Sequence, residues 1–449
     1  MTDSSCTIIT AARDVRGRRK AAEKIAQAYT AWKAGECEKP IFVIPPESDP
    51  IRSATEVTQL GKVPEGTGVL LRTSGSTSGQ GKIVALSWRS LEISASATHD
   101  YFGGPGAWIN VLPLYHIAGF QTVFRSIFAG FTPIIGNFAS FADFHEATAK
   151  STAPRHYLSQ VPTQLARLLE STPADWGATN QFSNDPIAAA ATSFAVAADY
   201  AGIDVNLVGG ASIRADLLQR AQELGIRTVT SYGMTETCGG CVYDGFPIGD
   251  VQISLSASGQ ISLGSQVVAL GYLGDHDATE FSTDATQLRW HHTRDWGAII
   301  DGVLSVHGRI DDAITTGGLT IIPQLLEDAI SAHFHTQCVV VGVPDPLWGE
   351  AAVAVTAQPL PANTVREFVK NHFERGWAPQ QVYSLSEVLS TTPADGINFA
   401  NPAQTFPAQT FAPTHENSAL SFPLTPSRKI DRRKLATLVA QRISRCRNV

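Results

Sequence analysis

The run Thr73–Lys82, TSGSTSGQGK, contains only hydroxylated residues, glycines, one glutamine and one lysine, and apolar residues flank it on both sides. Glycines let a backbone approach an anion, hydroxyls and N–H groups donate to it, and a lysine supplies charge. Together these residue types point to a phosphate-binding loop. The spacing differs from the P-loop of nucleotide hydrolases, G-x-x-x-x-G-K-[ST]. Five residues separate Gly75 from Gly81, and Ile83 follows Lys82 where a magnesium-binding hydroxyl would stand. The loop also exits into a strand-like run, so it gains no helix-dipole contribution. A glycine-serine linker shares this composition, but strand-like runs do not hold a linker tightly at both ends.

Elsewhere, Cys238-Gly-Gly-Cys241 has the spacing of half a zinc site or of a redox pair. A zinc site needs a second ligand pair, and adjacent His291-His292 is a poor chelate. The other cysteines are scattered, so no disulfide framework is expected. The tail segment SRKIDRRK, which contains Lys429, reads on composition alone as a basic surface run.

The elements that must carry these residues follow from periodicity. Arg19–Trp32 reads as an amphipathic helix, with Ala22, Ile25, Tyr29 and Trp32 on one face. Val69–Arg72 and Ile83–Leu86 read as the strands around the loop, and Ser87 as the N-cap of the helix Trp88–Phe102. Strand–helix alternation then continues through residues 107–233, which predicts a parallel α/β architecture. Past about residue 250, short alternating strands with glycine turns predict a β-rich subdomain, and a smaller α+β unit follows. Residues 391–421 are rich in Pro, Ala, Thr, Asn and Phe and contain the tandem repeat PAQTFPAQTF, so they read as a flexible inserted surface loop.

At 449 residues the chain has room for two or three domains with sizeable cores. Its 34 basic and 41 acidic residues give a net charge of −7, spread along the chain. That argues against a nucleic-acid or anionic-membrane partner. The N-terminus lacks an apolar core segment, and no stretch approaches a membrane span. The expected location is the cytoplasm, and the oligomeric state, a homodimer included, is left open.

The loop TSGSTSGQGK resembles the phosphate loop of the adenylate-forming, AMP-binding superfamily, usually T-S-G-S-T-G-x-P-K-G. Four further motifs follow in that family's order: PLYHIAG (Pro113–Gly119), SYGMTET (Ser231–Thr237), TRDWG with GRIDDAITTGG (within Thr293–Gly318) and PLTPSRKIDR (Pro423–Arg432). The resemblance spans Thr73 to Arg432. A narrower resemblance, to the o-succinylbenzoate–CoA ligases of menaquinone biosynthesis, rests on the flanks of these motifs and on TRD in place of the commoner T-G-D. The chain departs from the family pattern in an extra loop residue near Ser78, in Gly81 for proline and Ile83 for glycine, and in Arg294 and Arg428, each where glycine is usual.

The resemblance implies an α/β adenylate-forming fold, with a large N-terminal α/β domain and its β-rich subdomain over 1–310 and a small mobile C-terminal α+β domain over 311–449. It implies MgATP-dependent activation of a carboxylic acid to an acyl-adenylate, followed by transfer to CoA. By resemblance, Thr73, Ser74, Gly75, Ser76, Thr77 and Lys82 would wrap the β- and γ-phosphates. Gly209, Gly210 and Ala211 would line the purine, and Tyr232 would lie against the adenine. Thr235 would reach the α-phosphate, and Glu236 would hold Mg²⁺. Asp295, assisted by Arg309, would bind the ribose. Asp311 would be the hinge, Lys429 would bridge substrate carboxylate and α-phosphate, and His116 would gate the acyl pocket. A second substrate carboxylate needs a cationic pocket end, for which Arg125 and Arg167 are the candidates. The rival readings are another acyl- or aryl-CoA ligase, a carrier-loading enzyme, or a non-catalytic nucleotide-binding homologue. Lys429 and Glu236 argue against the last.

Overall fold

The computed structural model describes residues 5–36, 39–73, 81–138, 140–170, 202–274, 278–390, 421–424 and 430–447. Ser74, Gly75, Ser76, Thr77, Arg428, Lys429 and residues 391–420 lie outside them. The chain divides into two compact units, Met1–Val306 and His307–Val449.

The first unit opens with β1 (Thr7–Thr10), α1 (Val15–Lys33), β2 (Ile41–Ile44), α2 (Pro50–Gln59), β3 (Val69–Arg72), β4 (Ile83–Leu86) and α3 (Trp88–Phe102). Asp14 caps α1 through the Gly17 N–H, and Ala21, Ala22, Ile25 and Tyr29 form its buried face. This helix starts earlier than its apolar periodicity suggests, because the cap lies upstream of the first buried residue. Ser87 caps α3, as its sequence position suggests, and Gly103 closes it at φ +88°. The two strands around the phosphate loop have the expected bounds and pair antiparallel, Val69↔Leu86 through Arg72↔Ile83.

Next come β5 (Ala107–Asn110), α4 (Ile117–Phe128), β6 (Ile134–Ile135), α5 (Phe141–Ala149), β7 (His156–Gln160), α6 (Pro162–Glu170), β8 (Val205–Gly209), α7 (Ala215–Glu223), β9 (Thr228–Met234), β10 (Gly239–Tyr243) and β11 (Phe246–Pro247). Their seven strands form one sheet in the order β11-β10-β9-β8-β7-β5-β6. It is parallel from β6 to β9 and antiparallel beyond. Alternation along each strand separates two cores. Ile109, Leu158 and Val208 pack with Leu165, Leu168 and Leu169 of α6 on one face. Trp108, Tyr157 and Leu207 pack with Phe102 and Tyr243 on the other.

The β-rich part contains β12 (Gln252–Leu255), β13 (Gln260–Gly264), β14 (Gly271–Tyr272), β15 (Phe281–Thr283), β16 (Arg289–Ile300) and β17 (Val303–Arg309). Strand β14 leaves this group and pairs with β4, completing a sheet β1-β2-β3-β4-β14 beside the phosphate loop. The second unit holds β18 (Ile314–Thr316), β19 (Leu319–Ile321), α8 (Pro323–Phe334), β20 (Cys338–Asp345), β21 (Gly349–Thr356), α9 (Ala362–His372), β22 (Gln381–Ser384), α10 (Leu385–Leu389) and α11 (Arg432–Arg447). The basic run read as a surface segment thus leads into a helix, whose Leu435 and Val439 are buried against Val341 and Val353.

Candidate active site

The neck of the phosphate loop is closed by backbone and side chain together. Thr73 N–H donates to the Lys82 carbonyl (2.9 Å), and Lys82 N–H donates to Thr73 Oγ1 (3.0 Å). Arg72 donates to the Gly81 carbonyl (2.8 Å) and to Glu56 (2.7 Å). A Cβ at residue 81 would overlap the Thr73 carbonyl. Glycine at this position, one of the departures from the usual motif, is therefore enforced by the closure of the neck.

The SYGMTET motif runs along β9 into a turn, Thr235–Thr237, with Thr235 and Glu236 both buried. The half-buried Tyr232 donates its hydroxyl to Asp295 Oδ2 on β16 (2.8 Å). Burial and the Asp295 carboxylate push the Tyr232 hydroxyl well above its ordinary value, so it stays a donor. The expected adenine and ribose residues are thus already joined. Gly209 ends β8, and Gly210 and Ala211 lead the chain out of it, with Gly210 at φ +81°.

A charge cluster lies beside the loop. Lys82 Nζ donates to both oxygens of Glu280 (2.8 and 2.7 Å), and Arg294 donates to Glu280 Oε1 (3.0 Å). Lys82 also sits 4.3 Å from the centre of the Tyr272 ring, and the Tyr272 hydroxyl donates to Glu236 Oε1 (2.7 Å). Burial pushes the Glu280 carboxyl up, but hydrogen bonds from Lys82, Tyr272 and Arg294 outweigh it and hold the group below its ordinary value. Burial and the two carboxylates push the Tyr272 hydroxyl far up.

Helix α4 runs from His116, its N-cap residue, whose ring lies 4.7 Å from that of Tyr115. One face carries two polar residues at i, i+4. Gln121 donates to the Cys238 carbonyl (2.6 Å), directly after the Thr235–Thr237 turn. Arg125 is 2% exposed, lies 4.7 Å from the centre of the Trp108 ring and donates to the Tyr243 hydroxyl (3.3 Å). Among the described residues, Gln121 Oε1 and Arg125 Nε are buried without a hydrogen-bond partner, and Arg125 has no carboxylate partner. Beside it, burial and then the Arg125 charge push His99 down to about 4. Trp108 Nε1 donates to the neutral His99 ring at Nε2 (3.1 Å).

The two candidate arginines do not meet. Arg167 is exposed on α6, a helix packed on the opposite face of the seven-stranded sheet from Arg125. Its apolar neighbours Leu165, Leu168 and Leu169 take the buried positions and turn it outward. Cys238 and Cys241 are buried free thiols, both pushed up by desolvation, Cys241 to about 12. Such thiols are poor nucleophiles.

Residues 2–270 match the AMP-binding enzyme family, and residues 326–394 match the AMP-binding enzyme C-terminal domain. The chain belongs to the AMP-binding enzyme family. It is 33% identical over 375 residues to a probable 2-succinylbenzoate–CoA ligase of Mycobacterium tuberculosis, covering 81% of this chain and 89% of that protein. It is 27% identical over 327 residues to 2-succinylbenzoate–CoA ligase of Escherichia coli, covering 71% of this chain and 64% of that one. The fold matches o-succinylbenzoate CoA synthetase (MenE) from Bacillus subtilis in complex with the acyl-adenylate intermediate OSB-AMP, with TM-score 0.63, 20% identity and coverage of 97% and 88%. It also matches the amide bond synthetase McbA from Marinactinospora thermotolerans, with TM-score 0.65, 17% identity and coverage of 97% and 90%. At these identities the structural matches establish the adenylate-forming fold.

In this AMP-binding enzyme the second unit carries Arg309, whose guanidinium donates to Asp311 (2.9 Å) on the turn Ile310–Asp312. Arg432, at the start of α11, makes a paired contact with buried Glu327, donates to the Val340 carbonyl (3.0 Å) and reaches Asp312 (3.7 Å). Sequence reasoning did not single out Gln121, Tyr272, Glu280 or Arg432. A signal existed for Gln121, because it and Arg125 stand at i, i+4 as the two long polar side chains of a helix whose other members are apolar or small hydroxyl residues. Tyr272 and Glu280 lie between motifs; the pairing of β14 with β4 brings Tyr272 beside Lys82, and Glu280 comes just before β15, which pairs with β16. Among the described residues no helix is long and apolar enough to cross a membrane.

Proposed function

We propose that this chain is an AMP-forming acid–thiol ligase that converts o-succinylbenzoate, CoA and ATP to o-succinylbenzoyl-CoA, AMP and diphosphate, in the acid-activating step of menaquinone biosynthesis. The observation that carries the choice of acid is Arg125. A buried guanidinium without a carboxylate partner is costly unless a ligand supplies the counter-charge. It lies on α4 one turn beyond Gln121, whose side chain reaches the Cys238 carbonyl after the Thr235–Thr237 turn, and this supports a role for it at the far carboxylate of a substrate whose near carboxylate lies at that turn. The curated relatives' names agree with such a substrate.

In the first half-reaction a carboxylate oxygen attacks the α-phosphorus of ATP, and the bond to diphosphate breaks. In the second, the CoA thiolate attacks the acyl carbon and AMP leaves. The chain's work is positioning and electrostatic stabilisation. Thr73, Ser74, Gly75, Ser76, Thr77 and Lys82 hold the β- and γ-phosphates. Gly209, Gly210, Ala211 and Tyr232 take the adenine, and Asp295 the ribose with help from Arg309. Thr235 donates to the α-phosphate. Glu236, a hard carboxylate ligand held by Tyr272, suits Mg²⁺, which neutralises phosphate charge when bound. Lys429 bridges the attacking carboxylate and the α-phosphate, His116 guards the acyl entrance, and Asp311 is the hinge between the half-reactions.

The test is diphosphate release with MgATP across a panel of carboxylic acids, with the mass of the CoA product. Release with o-succinylbenzoate and a matching thioester mass is the expected result. Release with benzoates or fatty acids alone would remove the choice of acid, and release with none would remove the catalytic reading.

A further inference from the structure

We propose that Glu280 is a positioning residue that sets the preference of the site for a triphosphate over a monophosphate, and that Arg294 acts by bracing it. The proposal rests on the MgATP reading above. Lys82 arrives from the start of β4 and Arg294 from β16, more than two hundred residues apart in the chain. Their side chains converge only because the Glu280 carboxylate lies between them. That carboxylate side chain is 10% exposed, while those of Lys82 and Arg294 are 32% and 45% exposed. Two cations this close repel each other unless an anion joins them. Glu280 supplies the anion from a protected position.

Geometry ties the cluster to the site. The Tyr272 ring lies beside Lys82 at 4.3 Å, and its hydroxyl donates to Glu236 at 2.7 Å. The loop lysine and the carboxylate suited to Mg²⁺ therefore flank one aromatic side chain, which is itself paired into the sheet through Tyr272↔Val84. A phosphate chain held by both ends needs that separation fixed in advance. The chain also departs from the common family pattern at two places, a longer phosphate loop and Arg294 where glycine is usual. The structure joins them: the lysine that ends the longer loop and the added arginine share one carboxylate.

The experiment is equilibrium binding of ATP and of AMP to the full-length protein and its variants, with a melting temperature for each variant. Coulomb's law alone predicts that Glu280→Gln tightens ATP, since an anion beside the lysine is lost. Positioning predicts the reverse. Expected is an approximately tenfold weaker ATP affinity for Glu280→Gln, with AMP affinity unchanged. Arg294→Gly should weaken ATP by about threefold, Arg294→Lys should restore most of that, and the double variant should be no worse than Glu280→Gln alone. Equal loss of ATP and AMP, unchanged or tighter ATP binding, or fully additive losses would overturn the proposal. Wild-type protein that binds neither nucleotide defeats the functional reading itself, whereas wild-type binding with an unmoved ATP-to-AMP ratio in both single variants defeats this inference alone.

Discussion

The part of the first unit proposed to hold the nucleotide and the part proposed to hold the acid are built on opposite principles. At the nucleotide end the charged groups are already matched: Lys82 and Arg294 share Glu280, Tyr272 holds Glu236, and Tyr232 holds Asp295. At the acyl end Arg125 and Gln121 are buried with polar atoms that lack partners among the described residues. A nucleotide is a common ligand with fixed shape, and a scaffold of satisfied side chains can wait for it without strain. The acid is what distinguishes one member of this family from another. In the proposed reading its recognition falls to a few buried groups whose desolvation is offset when the acid arrives.

The largest predicted effect falls outside both ends, at Lys429. Lys429→Ala should lower adenylation by roughly 10²–10³-fold, as loss of a catalytic electrostatic contact costs about 3–4 kcal/mol, while thioester formation from supplied acyl-adenylate survives. Half-reaction assays check this, and an equal fall in both would remove the assigned role.

The acyl end should also show itself in pH dependence. His99 folds neutral, with its value down at about 4 against an ordinary 6.5. Its contribution is therefore complete above pH 6.5 and is lost as pH falls toward 4. The amount is roughly 3 kcal/mol. Thermal melts between pH 7 and 4 should fall more steeply for wild type than for His99→Gln, and parallel curves would contradict the buried neutral imidazole.

Arg125→Met should raise KM for o-succinylbenzoate by about ten- to a hundredfold, the range for a charge-assisted hydrogen bond worth about 1.5–3 kcal/mol, and leave KM for ATP unchanged. A parallel rise in both constants would show that the two ends are not separable in this way. The smallest effect is expected from Tyr232→Phe, which removes one hydrogen bond to Asp295. About 1 kcal/mol, or a fivefold weaker ATP affinity, is expected by titration.

Much of the fold was legible because local rules settle it. The strands Val69–Arg72 and Ile83–Leu86, the Ser87 cap and the helix Trp88–Phe102 appear with the bounds that alternation and capping suggest. The short strands β1 and β2 and the helix α11 escaped, since four-residue apolar runs and a basic amphipathic segment carry weak periodic signals. Motif residues such as Tyr232 and Asp295 were nameable by resemblance, but not their mutual hydrogen bond.

By itself the sequence determined what lies close along the chain: a phosphate loop framed by two strands, the order of five motifs, and membership of a family. Periodicity and motif spacing act over a few residues, and that is all such features need. Tertiary structure alone decided which side chains share a partner. Nothing local tells Glu280 that it will meet Lys82 and Arg294, or sends Arg125 to the interior. Those outcomes come from strand alternation and from the pairing of β14 with β4, which bring together residues that the chain keeps far apart.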